Sequence, residues 1–188
     1  VLAGQNIFDH EISNDRDEGH FTPSINIKYK MKEAMFYASV ATGAKAGGFD
    51  SRANNPDDFE FEDESVISYE LGTKLTLMDG TADINIAVFN MVFDDLQTSV
   101  YDGSTGFFVL NGGQATSRGI ELDGRWAFAD NWMLTSSLGY LDFKWDKFTG
   151  ANCFKSAAKT SNNIEAGASS CDLSGETNAY ASTISGSI

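Results

Sequence analysis

The side chains of this sequence that could do acid–base, nucleophilic or metal chemistry are few. Its two histidines, His10 and His20, both fall in a polar N-terminal stretch. Neither stands against a Ser or Cys nucleophile motif, so the constellation of a catalytic triad is missing and both read as solvated loop histidines. The densest acidic run is NNPDDFEFEDES, Asn55 to Ser65. Hard cations want clustered carboxylates, and Asp57, Asp58, Glu60, Glu62, Asp63 and Glu64 would offer them to Ca²⁺. The run lacks the glycine and the spacing of an EF-hand loop, so a solvated loop is the first reading and a Ca²⁺ site the second. Cys153 and Cys171 enclose a stretch rich in Ser, Ala, Asn and Gly, without the CxxC or Cys/His spacing of a zinc site. A disulfide between them would add about 3 kcal/mol and place the chain outside the cytosol; two free thiols are the alternative. No enzyme, resident metal or cofactor is expected.

The elements that must position these residues are strands. In ISYELGTKLTL, Ile67, Tyr69, Leu71, Thr73, Leu75 and Leu77 alternate with Ser68, Glu70, Gly72, Lys74 and Thr76. A period of two means an extended strand with one oily and one wet side. SINIKYK, GIELDGRWAF and NWMLTSSLGY repeat the pattern. Aromatic residues at 12% of the chain, 18 glycines and only 2 prolines suit strands and turns. A net charge of −14 and a pI near 4.3 leave no basic surface for nucleic acid.

No apolar run reaches the ~20 residues of a membrane helix. A mean hydropathy of −0.25 would usually argue against a membrane. It does not do so here, because a transmembrane barrel alternates oily and polar residues and averages out. The first residues, VLAGQNIFDHE, lack the basic, apolar and small-residue regions of a signal peptide. The chain therefore reads as cytosolic or as an internal piece of something longer.

Three tight connections, KMKE (Lys30 to Glu33), MDGT (Met78 to Thr81) and FADNW (Phe128 to Trp132), recur about every fifty residues. Asp79-Gly80 is a hairpin signal. Between them lie polar excursions over Gly43 to Ser65, Tyr101 to Gly106 and Thr149 to Tyr180. The predicted strands are 21–30, 34–43, 66–78, 82–100, 107–128, 132–147 and a last one within 181–188. Several exceed the five or six residues usual in globular sheets and are long enough to cross a bilayer when tilted. Short turns at one end and long loops at the other form the outer-membrane barrel pattern. After Tyr140 the oily residues change phase to Leu141, Phe143 and Trp145, which predicts a bulge or the strand's exit from lipid. Phe89, Met91 and Phe93 fall on the otherwise polar face, and something must cover them.

YASVATGAKAGGF (Tyr37 to Phe49), SYELGTK (Ser68 to Lys74), AVFNMVFDDLQ (Ala87 to Gln97), NGGQATSRGIELDG (Asn111 to Gly124) and CDLSG (Cys171 to Gly175) occur in this order. Together they resemble the β-barrel of TonB-dependent outer-membrane receptors. The resemblance implies an all-β fold: an antiparallel transmembrane β-barrel segment, about seven strands of a barrel of about 22. Residues 1–19 would be part of an extracellular loop, 20–148 three hairpins, 149–180 a long loop with the possible disulfide, and 181–188 the start of the next strand. It implies uptake of a scarce large solute, such as a ferric siderophore, in the bacterial outer membrane. The partners implied are outer-membrane lipid, the remainder of the barrel, a plug domain filling it, and TonB through an N-terminal segment that this sequence does not show.

For the site residues, the resemblance points to the extracellular loops and the plug apex. Lys45, Phe49 and Arg52 in the first long loop, Tyr101 and Phe107 around the second, and Phe154 and Lys155 in the third would meet the ligand. Basic and aromatic side chains suit an anionic chelate. Glu70, Lys74, Glu121, Asp123 and Arg125 would face the lumen and be satisfied by the plug, which would also cover Phe89, Met91 and Phe93. The acidic run would be bridged by divalent ions to lipopolysaccharide. Two other readings remain open: a complete eight-stranded outer-membrane barrel acting as anchor or adhesin, and a secreted β-sandwich binding module.

Overall fold

The computed structural model describes residues 14–53, 58–101, 106–151, 171–178 and 181–187. Its strands are β1 (Ser24–Lys30), β2 (Ala34–Lys45), β3 (Gly48–Phe49), β4 (Glu60–Phe61), β5 (Glu64–Leu77), β6 (Ala82–Asp94), β7 (Gln97–Tyr101), β8 (Phe107–Asn111), β9 (Gln114–Ala129), β10 (Trp132–Lys147) and β11 (Ile184–Ser187). Seven of them form one antiparallel sheet in the order β1-β2-β5-β6-β9-β10-β11, with β3-β4 and β7-β8 as separate two-stranded ribbons.

The alternation in the sequence becomes rows across the sheet. Ile27, Ala38, Leu71, Val88, Ile120, Tyr140 and Ile184 are register partners from the first strand to the last. One residue along, on the opposite face, the row reads Lys28, Tyr37, Gly72, Ala87, Glu121, Gly139 and Ser185. The apolar rows are not covered: Leu71, Leu122 and Leu138 are 58%, 39% and 53% exposed. A sandwich would press a second sheet on these leucines, and none lies there among the described residues. Nor does the sheet close into a small barrel, since β1 pairs only with β2 and β11 only with β10 among those residues.

The short turns stand where the sequence places them. Met31 N–H donates to Ala34 O at 2.7 Å. The Asp-Gly turn is longer than a two-residue hairpin. Leu77 pairs with Ala82, and Met78, Asp79 and Gly80 all take positive φ, 53°, 55° and 92°. At the third turn Asn131 takes the left-handed φ of 65°, a conformation its short side chain tolerates.

Two predicted strands end early. The segment 82–100 breaks after Asp94, where Asp95 has φ 53°, and 107–128 breaks at Gly112-Gly113, where Gly113 has φ 80°. A Cβ on Gly113 would lie 2.5 Å from Lys147 O, so a side chain has no room there. Leu96 and the glycines hold the pivot: Leu96 N–H donates to Gly113 O at 3.0 Å and Gly112 N–H to Leu96 O at 2.7 Å. Beyond it the β7-β8 hairpin leaves the main sheet.

The phase change after Tyr140 comes without a bulge there. β9 and β10 stay in register from Leu134 opposite Trp126 to Trp145 opposite Ala115. What changes is the character of the faces. Asp142 and Lys144 continue the apolar row side, while Phe143 and Trp145 join a core on the other side with Val100, Ala115, Phe148 and Ala151. Phe93 packs against that core, 6.4 Å from the Phe143 ring, so the chain's own β7-β8 end covers it. Phe89 lies over Gly119, where an added Cβ would meet its ring at 2.8 Å.

Candidate functional site

Two surfaces carry the candidate residues: the polar face of the sheet and the cluster at its long-loop end. On the polar face, Glu70, Lys74, Glu121, Asp123 and Arg125 share one side of the wall, as their register partners require: Lys74 opposes Asn85, which opposes Asp123, and Glu121 opposes Ala87. Arg125 pairs with Asp83, and the Thr76 hydroxyl donates to the same carboxylate at 3.0 Å. Tyr37 lies across Gly72, where any side chain would collide with its ring. A glycine beneath a cross-strand ring is a register-fixing device of curved sheets.

At the long-loop end the central group is Asp50, whose side chain is only 5% exposed. Its Oδ1 accepts from Arg52 N–H at 3.0 Å and Arg52 Nε at 2.8 Å; its Oδ2 accepts from Arg52 Nη2 at 2.7 Å and from Val109 N–H at 2.9 Å. One carboxylate thereby fixes the first long loop to β8. The Arg52 guanidinium, above all, and then the two backbone donors hold the Asp50 carboxyl down to about 2, against a burial that works the other way. A second tie comes from Asn111, whose Oδ1 accepts from Glu62 N–H at 2.8 Å while its Nδ2 donates to Glu62 O at 3.0 Å and Asp95 O at 2.8 Å. Gln97 adds a third, donating from Nε2 to Ala46 O at 2.9 Å and Glu62 O at 3.1 Å.

The acidic run gathers around a cation of the chain itself. Arg16 contacts Glu18, reaches Glu60 Oε1 at 2.9 Å and Glu62 Oε2 at 2.7 Å, and lies 3.9 Å from Asp63. These carboxylates, Glu62 first, hold Arg16 further toward its protonated form. His20 sits between Glu18 at 3.3 Å and Asp63 at 3.7 Å rather than free in solvent. Glu64 accepts the Gln97 backbone N–H instead, at 2.8 Å. Among the described residues no group of three or more His, Cys, Asp or Glu is arranged to hold a metal. Asp57 and His10 lie outside the described residues.

Of the ligand candidates, Phe49 stacks on Phe59 with centroids 5.3 Å apart, and Tyr101 meets Phe107 across the β7-β8 hairpin at 5.5 Å. Arg52 is bound to Asp50, and Lys45 stands opposite Glu64 at the end of β2. The Asp50 staple brings the Phe49–Arg52 group to the hairpin that carries Tyr101 and Phe107. Phe154, Lys155 and Cys153 lie outside the described residues; Cys171 is held in a disulfide. Sequence reading misses Asp50, Asn111, Gln97 and Arg16. Only Asp50 leaves a local signal, the Asp-x-Arg spacing that lets a carboxylate grip the N–H and guanidinium two residues on. Asn111 and Gln97 bond across 16 or more residues of chain, and Arg16, besides its contact with Glu18, reaches Glu60 across 44.

The family model described as TonB dependent receptor-like, beta-barrel, matches residues 3–178. The pesticin receptor of Yersinia enterocolitica is 35% identical over 98 residues, 51% of this chain and 14% of that protein. The metal-pseudopaline receptor CntO of Pseudomonas aeruginosa is 26% identical over 133 residues, 70% of this chain and 18% of that protein. The chain thus spans less than a fifth of the length of either relative. Among solved structures, the ferric yersiniabactin uptake receptor FyuA from Yersinia pestis superposes with a TM-score of 0.54 at 25% identity, over 64% of this chain and 18% of that one. The alcaligin outer membrane receptor FauA from Bordetella pertussis gives 0.50 at 20% identity over 69% and 23%, a likeness of fold alone.

Proposed function

Because the chain belongs to the TonB dependent receptor-like β-barrel family, we propose that it forms about a third of the wall of an outer-membrane receptor that takes up a scarce metal chelate of the siderophore type. The carrying observation is the pair of opposed rows. One face presents uncovered Leu71, Leu122 and Leu138, the other Glu70, Lys74, Glu121, Asp123 and Arg125. Hydrocarbon on the first side and a hydrated, filled lumen on the second satisfy both. In lipid every backbone polar group needs a partner, so the open ladders of β1 and β11 call for further strands of the same barrel. A plug domain inside it would meet the charged row, and TonB, acting through that plug, would supply the energy.

The solute class rests on the relatives. FyuA is named for ferric yersiniabactin and CntO for metal-pseudopaline. Phe49, Tyr101, Phe107 and Arg52 would provide stacking and hydrogen-bonding surface for such a chelate, on loops that Asp50 and Asn111 hold in place. No catalytic step is needed. The test is uptake of ⁵⁵Fe, supplied as a panel of ferric chelates, by receptor-deficient cells expressing the complete receptor that contains this wall, with and without functional TonB. Receptor-dependent, TonB-dependent uptake of at least one chelate is expected. Equal uptake without TonB, or none with any metal chelate, overturns the proposal.

A further inference from the structure

We propose that Asn111-Gly112, at the end of β8, is a site of spontaneous covalent modification gated by the fold. When the pivot of the β7-β8 hairpin opens, the Asn111 amide is lost as ammonia. The carboxylate left behind cannot restore the tie between β8 and the first long loop. The inference does not depend on the solute transported.

Residues 111–112 form the one Asn-Gly step in the sequence. An asparagine amide is open to attack by the main-chain nitrogen of the next residue, and glycine, without a Cβ, shields that nitrogen least. The Gly112 nitrogen bonds to Asn111 Cγ and gives up its proton, the Cγ–Nδ2 bond breaks, and Nδ2 leaves as ammonia. Water then opens the cyclic imide at either carbonyl. One product is aspartate; the other is its β-linked isomer, whose main chain is one atom longer. Water is the sole co-reactant.

The packing imposes this vulnerable pair. Gly112 is buried, and a Cβ there would lie 3.2 Å from the Phe148 ring and 3.3 Å from Leu96 O, which leaves little room for another residue. Asn111 is needed for a different reason. Its Oδ1 accepts from Glu62 N–H at 2.8 Å, while its Nδ2 donates to Glu62 O at 3.0 Å and Asp95 O at 2.8 Å. A side-chain amide supplies the acceptor and both donors; a carboxylate supplies the acceptor alone. After loss of ammonia Glu62 O and Asp95 O would face an anion, acceptor against acceptor.

The same contacts hold the reaction off while the pivot is closed. Gly112 N–H donates to Leu96 O at 2.7 Å, so the attacking nitrogen is engaged there. The hydrogen bonds of the Asn111 amide keep its Cγ in place. Attack needs both released, and the event that releases them is local opening of the pivot. Reclosure after the reaction leaves two carbonyl oxygens without donors, which is costly. The change therefore runs one way.

The test follows the complete receptor that contains this wall, folded in vesicles and held at constant pH and temperature. Mass spectrometry reads conversion of Asn111, with the aspartate and β-linked products separated by chromatography. Hydrogen exchange reads the Gly112 amide in the same samples. Conversion is expected in the chain unfolded in urea, and at least about tenfold slower in the folded receptor. Across urea steps below the unfolding transition, conversion and Gly112 exchange should rise by the same factor, because one opening governs both. In Asn111→Asp, exchange at the Leu96 and Gly112 amides should accelerate by about tenfold or more, the effect of two lost hydrogen bonds; the urea series decides the matter if that variant fails to insert. The proposal is overturned by absence of conversion in the unfolded chain or by equal conversion in the folded and unfolded receptor. Conversion that stays constant while Gly112 exchange accelerates, or unchanged exchange in Asn111→Asp, overturns it as well.

Discussion

Replacing Asp50 by Asn removes the charge from the carboxylate that joins the first long loop to β8 while keeping its volume. The amide oxygen can still accept from Arg52 N–H and Nε, but the amide nitrogen would face Val109 N–H and Arg52 Nη2, donor against donor. A carboxyl held near 2 rather than at its ordinary 3.8 corresponds to about 2.5 kcal/mol of stabilisation. Arg52 is 58% exposed, so water screens part of that, leaving about 1–2 kcal/mol. The loss falls on local opening of the β7-β8 hairpin rather than on the whole wall. Hydrogen exchange at the Val109 amide should therefore accelerate about 5- to 30-fold in the variant, with exchange in residues 82–94 unchanged. The pH dependence has a definite sign. The folded carboxyl titrates below the unfolded one, so its stabilisation is complete above about pH 4 and disappears only as pH falls through about 2. Unchanged exchange at Val109 in Asp50→Asn would refute the staple. So would loss of protection in the unmodified protein already complete by about pH 4.

Trp126 and Trp132, exposed on the wall, should be quenched by brominated lipid in the reconstituted receptor, while Trp145, 6% exposed in the inner cluster, should not; equal quenching of all three contradicts the assignment of faces. Leu122→Arg should lower the free energy of folding into vesicles, measured by urea titration, by about 2–4 kcal/mol if it lies near the bilayer midplane. Gly113→Ala forces a side chain onto Lys147 O at a positive φ and should cost about 1–3 kcal/mol, seen as faster proteolysis within 95–111 with the heat-modifiable gel mobility of the barrel kept.

The strands and their faces are legible in the sequence because a period of two is local: whether Leu71 and Lys74 lie on opposite sides follows from their separation in the chain. The short turns are legible for the same reason, through Asp79-Gly80 and Asn131. What the alternation leaves open is the medium. Leu71 with 58% of its surface uncovered decides against a second sheet among the described residues, and that is a property of distant chain segments. The loop cluster is least legible. Asp50 reaches Val109 across 59 residues and Arg16 reaches Glu60 across 44, and nothing in DRDE or in FEFED says which carboxylates will meet which cation. The acidic run therefore reads as a loop for solvent or divalent ions, whereas in the fold a single arginine gathers Glu60, Glu62 and Asp63 of it. The phase change at Tyr140 is visible in sequence, but a bulge and a change of surroundings write the same pattern; only the register of β9 and β10, continuous from Leu134 to Trp145, separates them.

The pivot at Asp95 and Gly113 determines what the long-loop end can be. Had β6 and β9 run straight on, as unbroken alternation would allow, Val100, Phe108 and Leu110 would stand in a ribbon with no apolar surface opposite them. A two-stranded ribbon is marginal by itself. With the left-handed turns in place, the hairpin packs these side chains against Phe93, Phe143, Trp145 and Phe148, where the Trp145 and Phe148 rings approach to 4.5 Å. The candidate ligand residues Tyr101 and Phe107 are thereby carried on a hairpin that shares a small core with β6, β9 and β10, pinned through Asp50 and Asn111 to the first long loop. Its hold on the wall is that shared core, the Gln97 N–H donating to Glu64 Oε2 at 2.8 Å and the two Leu96 hydrogen bonds at the pivot. Substitutions in these ties should accordingly change how the loop surface is presented while the barrel strands keep their register.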